Sequence, residues 1–238
     1  MESLESELDR ARDLAVGDLA DAIESIGFEC TRCGGCCKGY DPDSDGGGEE
    51  NATDGADATG REPHTATVFP DEIRDLADAT DYDWRDMARP MPYGLDGDDG
   101  YQSGETFEWA LQTDACGDCT FYEESEDGTG SCSVHDDRPL ICQTYPFSVA
   151  LGGTSQPMGE AVDGEGMVRA HECEGLGRDI SREEAEELAA ALKERAIREI
   201  EEAIAVRENY EPRDVDGVVV HDSEGQKRPD GTPVETDE

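Results

Sequence analysis

Apolar residues recur at spacings of three and four over residues 2–26, where Leu4, Leu8, Ala11, Ala15, Leu19, Ile23 and Ile26 would share one face of a helix. Gly17 weakens that helix and Gly27 suits its end. The period returns from about Ser181 to Glu208: Leu188, Leu192, Ala196, Ile200 and Ile204 repeat every four residues, and Ser181 with Glu184 forms a capping-box signature at the start. Between these helices the pattern is shorter and mixed. ThrAlaThrValPhe at 65–69 predicts a short strand, and Pro70, Asp71 and Glu72 open a helix whose buried side is Ile73, Leu76 and Ala77. Trp84 and Met87 predict a second short helix that Pro90 ends, both residues serving the core. The period drops to two at 106–112, with Phe107, Trp109 and Leu111 on one face and Thr106, Glu108 and Ala110 on the other, as a strand requires. Further short strands are expected at 120–122, 131–134, 147–151 and 166–169. The fold class is therefore α+β: a small irregular domain of several helices and short strands, closed by a long C-terminal helix.

Composition changes this picture in one respect. Leu, Ile, Val and Phe total 37 of 238 residues, and 19 basic against 61 acidic side chains give a net charge of −42. Taken alone, that combination suggests disorder. The acids, however, run through segments with clear apolar periodicity, and a metal site can supply stability that a thin core lacks. One domain is expected over residues 1–208, with an acidic, Gly-rich insertion loop at 41–62 and a mostly disordered acidic tail at 209–238 that is interrupted by ValValVal at 218–220. Only three lysines accompany 16 arginines, a pattern that resembles proteins of salt-loving archaea, whose carboxylate surfaces stay hydrated while salt screens their repulsion. So acidic a chain offers phosphate backbones no basic patch, which argues against a nucleic-acid partner. No apolar run reaches membrane-spanning length. The opening MetGluSerLeuGluSerGluLeu has neither the basic start nor the apolar core of a signal peptide, so a cytoplasmic location is expected.

The chemistry is concentrated in cysteine. Cys30, Cys33, Cys36 and Cys37 lie within eight residues, as two overlapping CxxC turns followed by an adjacent pair. A CxxC spacing lets two sulfurs approach one ion while intervening amides point at them. Gly34 and Gly35 allow the sharp turning this needs. Because adjacent side chains such as those of Cys36 and Cys37 diverge in a strand or helix, one tetrahedral ion would accommodate all four cysteines poorly, and a polynuclear iron–sulfur cluster, or two separate ions, would use them more comfortably. The remaining cysteines are Cys116, Cys119, Cys132, Cys142 and Cys173. Four of them added to the first four make eight thiolates, enough for two four-thiolate sites or one larger assembly. A disulfide framework is the competing explanation, but it belongs to short exported chains, and an odd count of nine would leave one thiol over.

These cysteines and their surroundings resemble the YkgJ-like proteins that carry a CxxCxxCC domain. The resemblance runs from about Phe28 to Gly177. It rests on Cys30 to Cys37, CysThrPheTyr from Cys119, CysSerValHis from Cys132, ArgProLeuIleCysGlnThrTyrProPhe from Arg138 to Phe147, and CysGluGlyLeuGly from Cys173. It implies a zinc- or iron-chelating, or iron–sulfur, domain whose eight metal ligands fall on Cys30, Cys33, Cys36, Cys37, Cys119, Cys132, Cys142 and Cys173. Cys116, which forms its own CxxC with Cys119, is then an auxiliary ligand or a spare.

Soft thiolates select zinc, copper(I) or iron–sulfur clusters. The fused first motif lacks the separate knuckles of a zinc site, and the ferredoxin spacing also fails, since Tyr40 stands where a fourth cysteine would be. The adjacent pair and the family resemblance favour an iron–sulfur cluster over zinc. Arg32, Lys38 and Arg138 are placed in sequence to offset the negative charge of such a site from outside the ligand shell. His135 and His171 neighbour Cys132 and Cys173, but with thiols enough already they are read as surface or hydrogen-bonding residues. His64 is assigned with the insertion and His221 with the tail. The leading expectation is an intracellular iron–sulfur protein with a redox or electron-transfer role. The alternatives are a structural zinc module that presents an acidic surface to a protein partner, or an enzyme like the flagellin lysine methylases, which carry a similar cysteine cluster.

Overall fold

The computed structural model describes residues 3–40, 61–97, 102–151, 161–163, 166–212 and 216–234. The expected insertion at 41–62 lies outside them except for its last two residues. In chain order the elements are α1 (Leu4–Asp13), α2 (Val16–Ile26), β1 (Thr67–Val68), α3 (Pro70–Ala79), α4 (Trp84–Met87), β2 (Ala88–Pro90), β3 (Leu95–Asp96), β4 (Ser103–Thr106), β5 (Trp109–Leu111), β6 (Tyr122–Glu124) and β7 (Gly130–Cys132). There follow α5 (Leu140–Thr144), β8 (Phe147–Val149), β9 (Ala161–Asp163), β10 (Val168–His171), α6 (Arg182–Asn209), β11 (Val218–Asp222) and β12 (Gly225–Lys227). The class is α+β, as the periodicity indicated. The chain divides into two compact units, one from Met1–Cys33 with Arg138–Ile204, the other from Gly34–Asp137 with Ala205–Glu238.

In the first unit a core of fifteen buried residues joins α1, α2 and α6 to the sheet β8-β10-β9. The single helix expected over 2–26 is broken at Leu14 and Ala15, whose ψ angles of 129° and 120° are extended. The Leu14 carbonyl, lost from the helical ladder, accepts a hydrogen bond from Lys193 Nζ at 2.7 Å, and Ala15 is exposed rather than part of the apolar stripe. The break lets Leu8 and Ala11 on α1, and Leu19, Ala20 and Ile23 on α2, reach one core from two directions. α6 begins as its capping box dictates: Ser181 Oγ accepts from the Glu184 amide at 3.2 Å, and the Glu184 carboxylate accepts from the Ser181 amide at 3.1 Å. Its buried face is small, with Ala185, Ala189 and Ala196 around Leu192 and Ile200. Arg195 is buried in that face. Its guanidinium donates to Thr144 Oγ1 at 3.0 Å and to the Phe147 carbonyl at 3.4 Å, and ion-pairs with Glu199 at 2.7 Å, so a charged fork fixes the end of α5 and the start of β8.

The second unit holds the sheet β1-β5-β2, the sheet β12-β11-β4-β3 and the hairpin β6-β7. The strand expected over 106–112 is interrupted: β4 ends at Thr106 and β5 begins at Trp109, with all three β5 residues buried and Phe107 exposed. The tail expectation is corrected here. Residues 218–222 pair in parallel with β4 and antiparallel with β12, and Val219 and Val220 are buried. ValValVal outweighs its polar surroundings because charge neutralisation accompanies its burial. Lys227 Nζ bonds Asp222 at 2.8 Å and Glu224 at 2.7 Å, and Asp222 also accepts from Trp109 Nε1 at 2.8 Å.

Candidate metal centre

The nine cysteines are all described, and no disulfide joins any of them. Cys30, Cys33, Cys142 and Cys173 belong to the first unit, and Cys36, Cys37, Cys116, Cys119 and Cys132 to the second.

In the second unit the chain turns at Gly34, whose φ is +77°. Both the Cys37 and the Lys38 amides return to the Gly34 carbonyl, at 2.8 and 3.0 Å. In this helical turn successive side chains rotate by about 100° rather than alternating across a strand. Cys36 Sγ and Cys37 Sγ therefore stand 3.7 Å apart. That separation suits two ligands of one ion, since two sulfurs bonded at about 2.3 Å to one tetrahedral ion are about 3.8 Å apart. The Cys119 amide donates to the Cys37 carbonyl at 2.8 Å, tying the second cysteine segment to the first. Tyr122, whose amide bonds the Cys119 carbonyl at 2.9 Å, pairs with Cys132 across β6 and β7. The Cys119 thiol is pushed up to about 11, by burial first, while the Phe121 amide directed at it works the other way and the Cys132 and Cys36 thiols push it further up. An ion supplying positive charge there would reverse that balance.

In the first unit, Cys30 and Cys33 flank Arg32, whose φ of +58° places a non-glycine residue in the left-handed region. The Glu29 amide donates to the Gly175 carbonyl at 3.0 Å, so the segments bearing Cys30 and Cys173 run side by side. A Cβ on Gly175 would stand 3.1 Å from the Glu29 carbonyl carbon and closer to its oxygen, so this approach requires glycine. The Gly175 amide points back at Cys173 Sγ, 3.4 Å away, as the Phe121 amide does at Cys119. Cys142 sits in α5, and the Tyr145 hydroxyl at the end of that helix donates to the Glu172 carbonyl beside Cys173.

Arg32 is exposed, and Arg138 precedes α5, its carbonyl accepting from Gln143 Nε2 at 2.5 Å. Lys38 bonds Glu124 and lies 5.3 Å from the centre of the Tyr122 ring. His135 is exposed and its Nδ1 faces Asp136. His171 is buried, with Nε2 2.9 Å from Ser148 Oγ. Cys116 is exposed in a turn closed without sulfur: Asp114 Oδ1 accepts from the Cys116 and Asp118 amides at 2.8 and 3.0 Å, and Arg61 bonds the Cys116 carbonyl at 3.1 Å.

Among the described residues no three His, Cys, Asp or Glu side chains close on one point as a finished coordination shell. The donor set still fits a thiophilic ion, with a preformed sulfur pair, a buried thiol next to it and backbone amides aimed at two of the sulfurs. A family model for CxxCxxCC, described as a "putative zinc- or iron-chelating domain", matches residues 29–174, more than half of the chain. The chain belongs to the CxxCxxCC family. Metal binding through a cysteine cluster follows from that membership, and the domain's matched segment contains all nine cysteines. No curated protein and no solved structure matches the chain. Among the described residues no helix is long and apolar enough to cross a membrane.

Three residues of the CxxCxxCC domain carry roles the sequence reading missed. Tyr122 fills the space that Gly34 leaves open, and ArgProLeu at 138–140 gave no sign that Thr144 would be held by Arg195. His64, assigned to the insertion, is buried. Its pKa is lowered to about 4, by burial first and then by Arg89, with Asp118 acting in the opposite direction. The signal for Tyr122 was available, since an aromatic three residues after Cys119 lies in the short strand pattern expected beside that cysteine. For Arg195 there was none beyond its phase on the apolar face of α6.

Proposed function

We propose that the protein binds zinc through its cysteine thiolates and that the metal is structural, fastening the cysteine-bearing turns to one another. The observation that carries this reading is the 3.7 Å separation of Cys36 Sγ and Cys37 Sγ, which suits two ligands of one tetrahedral ion. A cubane cluster takes one thiolate per iron and holds its sulfurs farther apart. Cys30, Cys33, Cys119, Cys132, Cys142 and Cys173 complete the ligands, and Lys38, Arg32 and Arg138 lie near them in sequence as sources of compensating charge. The acidic surface of such a module suits a basic protein partner rather than nucleic acid.

A second reading, an iron–sulfur cluster with a redox or electron-transfer role, is supported by the amides directed at Cys119 and Cys173, because hydrogen bonds to sulfur tune cluster potentials. Two thiolates sharing one iron of a two-iron cluster would also satisfy the pair geometry. Anaerobic purification followed by metal and acid-labile sulfide analysis separates the two. Colourless protein with zinc and no sulfide is expected; brown protein with iron and sulfide would transfer the assignment to the second reading, and protein that retains no metal would overturn both.

A further inference from the structure

Resting on the reading of the chain as a thiolate metal protein, we infer that it carries two separate four-thiolate sites, one in each unit. Cys36, Cys37, Cys119 and Cys132 form one; Cys30, Cys33, Cys142 and Cys173 form the other; Cys116 belongs to neither. The boundary between the units cuts the cysteine run itself, between Cys33 and Gly34, so a motif that reads as one cluster in sequence contributes two sulfurs to each side. The eight cysteines that the resemblance designates fall four and four on either side of it. Four thiolates saturate a tetrahedral ion, so neither unit needs to borrow a ligand.

Within each unit the segments that supply the quartet are already bound to one another through their backbones. In the second unit the Cys119 amide donates to the Cys37 carbonyl at 2.8 Å, the Tyr122 amide to the Cys119 carbonyl at 2.9 Å, and Tyr122 is in register with Cys132. The Cys36 and Cys37 sulfurs are at the separation one ion requires. In the first unit the Glu29 and Gly175 contact at 3.0 Å brings the neighbours of Cys30 and Cys173 together, and Tyr145 links the helix bearing Cys142 to the residue before Cys173. The turn at Cys116, by contrast, is closed by Asp114 and Arg61 through its backbone and holds its shape without a metal.

The test uses the full chain, loaded anaerobically with zinc or cobalt(II), with bound metal counted per chain. Two ions are expected, falling to one in C36S/C37S and to one in C30S/C33S, while C116S keeps two. In each double variant the remaining cobalt(II) should retain the intense sulfur-to-metal band of a four-thiolate site. A double variant that stays folded by circular dichroism and yet loses all metal would overturn the inference in favour of one shared assembly, while leaving metal binding itself intact. Should the variants fail to fold, the unmodified chain decides. After one equivalent of zinc, alkylation and peptide mapping should show protection that respects the quartets, and cooperative protection of Cys33 with Cys36 would refute the division. If iron and sulfide are bound instead, the same counts apply to clusters. Absence of any metal in the unmodified chain would sink the function itself rather than the division.

Discussion

Gly34→Ala tests whether the turn before Cys36 and Cys37 is what makes them a pair. Gly34 has a φ of +77°, a conformation that costs an L-residue with a Cβ about 1–2 kcal/mol. An added Cβ would also stand 2.6 Å from Tyr122 Cζ and 2.8 Å from its Cε2, with the hydroxyl nearer still. The ring cannot yield freely, because its hydroxyl bonds Glu124 at 2.7 Å and its face carries Lys38. Displacing it sacrifices a hydrogen bond worth about 1 kcal/mol. The sum is about 2–3 kcal/mol, which corresponds to a loss of about 30- to 150-fold in metal affinity if the whole strain falls on the turn. Competition with a chromophoric chelator, at matched circular dichroism, measures it. Gly34→Ala combined with Tyr122→Ala should recover the steric share, about 1 kcal/mol, and leave the backbone share. If Gly34→Ala alone binds within threefold of the unaltered protein, the turn does not set the geometry of the pair.

Lys227→Met leaves the buried Asp222 carboxylate without its cation and should cost about 3–5 kcal/mol, most of it recovered in D222N/K227M; both tryptophans flank this cluster, so fluorescence-detected urea denaturation reads it directly. A cost below about 1 kcal/mol would mean that water reaches Asp222. His64 is held neutral when folded, with a pKa near 4 against about 6.5 when unfolded, so the unfolded chain binds its proton first and stability should fall as pH drops from 6.5 towards 4. In His64→Gln that part of the pH dependence should vanish, and an unchanged slope would show that His64 is not the group responsible. Glu224, held down to about 2 by Arg74 first and then by Lys227, stabilises above its unfolded value near 4.5 and loses its contribution as pH falls from there towards 2. Because this carboxylate is partly exposed, Glu224→Gln should remove only about 1 kcal/mol at pH 7. Finally, Tyr40 and Glu62 exchange backbone hydrogen bonds at 2.9 and 2.7 Å, so replacing residues 41–60 by a short Gly-Ser linker should leave metal stoichiometry unchanged, and loss of metal would show that the segment supports the site.

Helical periodicity was legible wherever the apolar stripe and the cap agreed. Ser181 with Glu184 marked the start of α6 to within a residue, and Pro70 did so for α3. It failed where a tertiary partner replaced a local bond. Nothing near Leu14 announces that Lys193 will take its carbonyl, so the break between α1 and α2 looked like continuous helix. The β4 and β5 region failed for a related reason: alternation over 106–112 is real in the side chains, but β4 answers to β11 and β5 to β1 and β2, and the chain must break at Phe107 to serve both sheets. In the tail, composition misled because acidic residues were counted as solvent-facing while Asp222 was in fact neutralised by Lys227. For the candidate metal centre, spacing singled out the cysteines but not the units they fall in. A CxxCxxCC run is contiguous in sequence, and only tertiary structure assigns its halves to different units.

A chain this poor in large aliphatic residues can fold because its two units do not rely on the same resource. The first packs alanine-lined helices closely against a small sheet, where Ala11, Ala20, Ala170, Ala185 and Ala189 are fully buried and one guanidinium satisfies the carbonyl that this closeness leaves over. The second encloses aromatic rings, Trp109 and Phe121, and pays for a buried carboxylate with a buried ammonium. In both, the cysteines lie outside the apolar centre: Cys30, Cys33 and Cys36 are exposed, and of the eight designated ligands only Cys119 is buried. Thiols at the rim do little for a core by hydrophobic burial, and sulfurs held close together as thiolates repel one another in a protein already carrying a charge of −42. A divalent ion would turn that repulsion into attraction at the turns that bear the cysteines. The metal is therefore expected to matter for the order of the turns at 30–39 and 119–122 more than for the existence of α6 or the sheets, which have partners of their own.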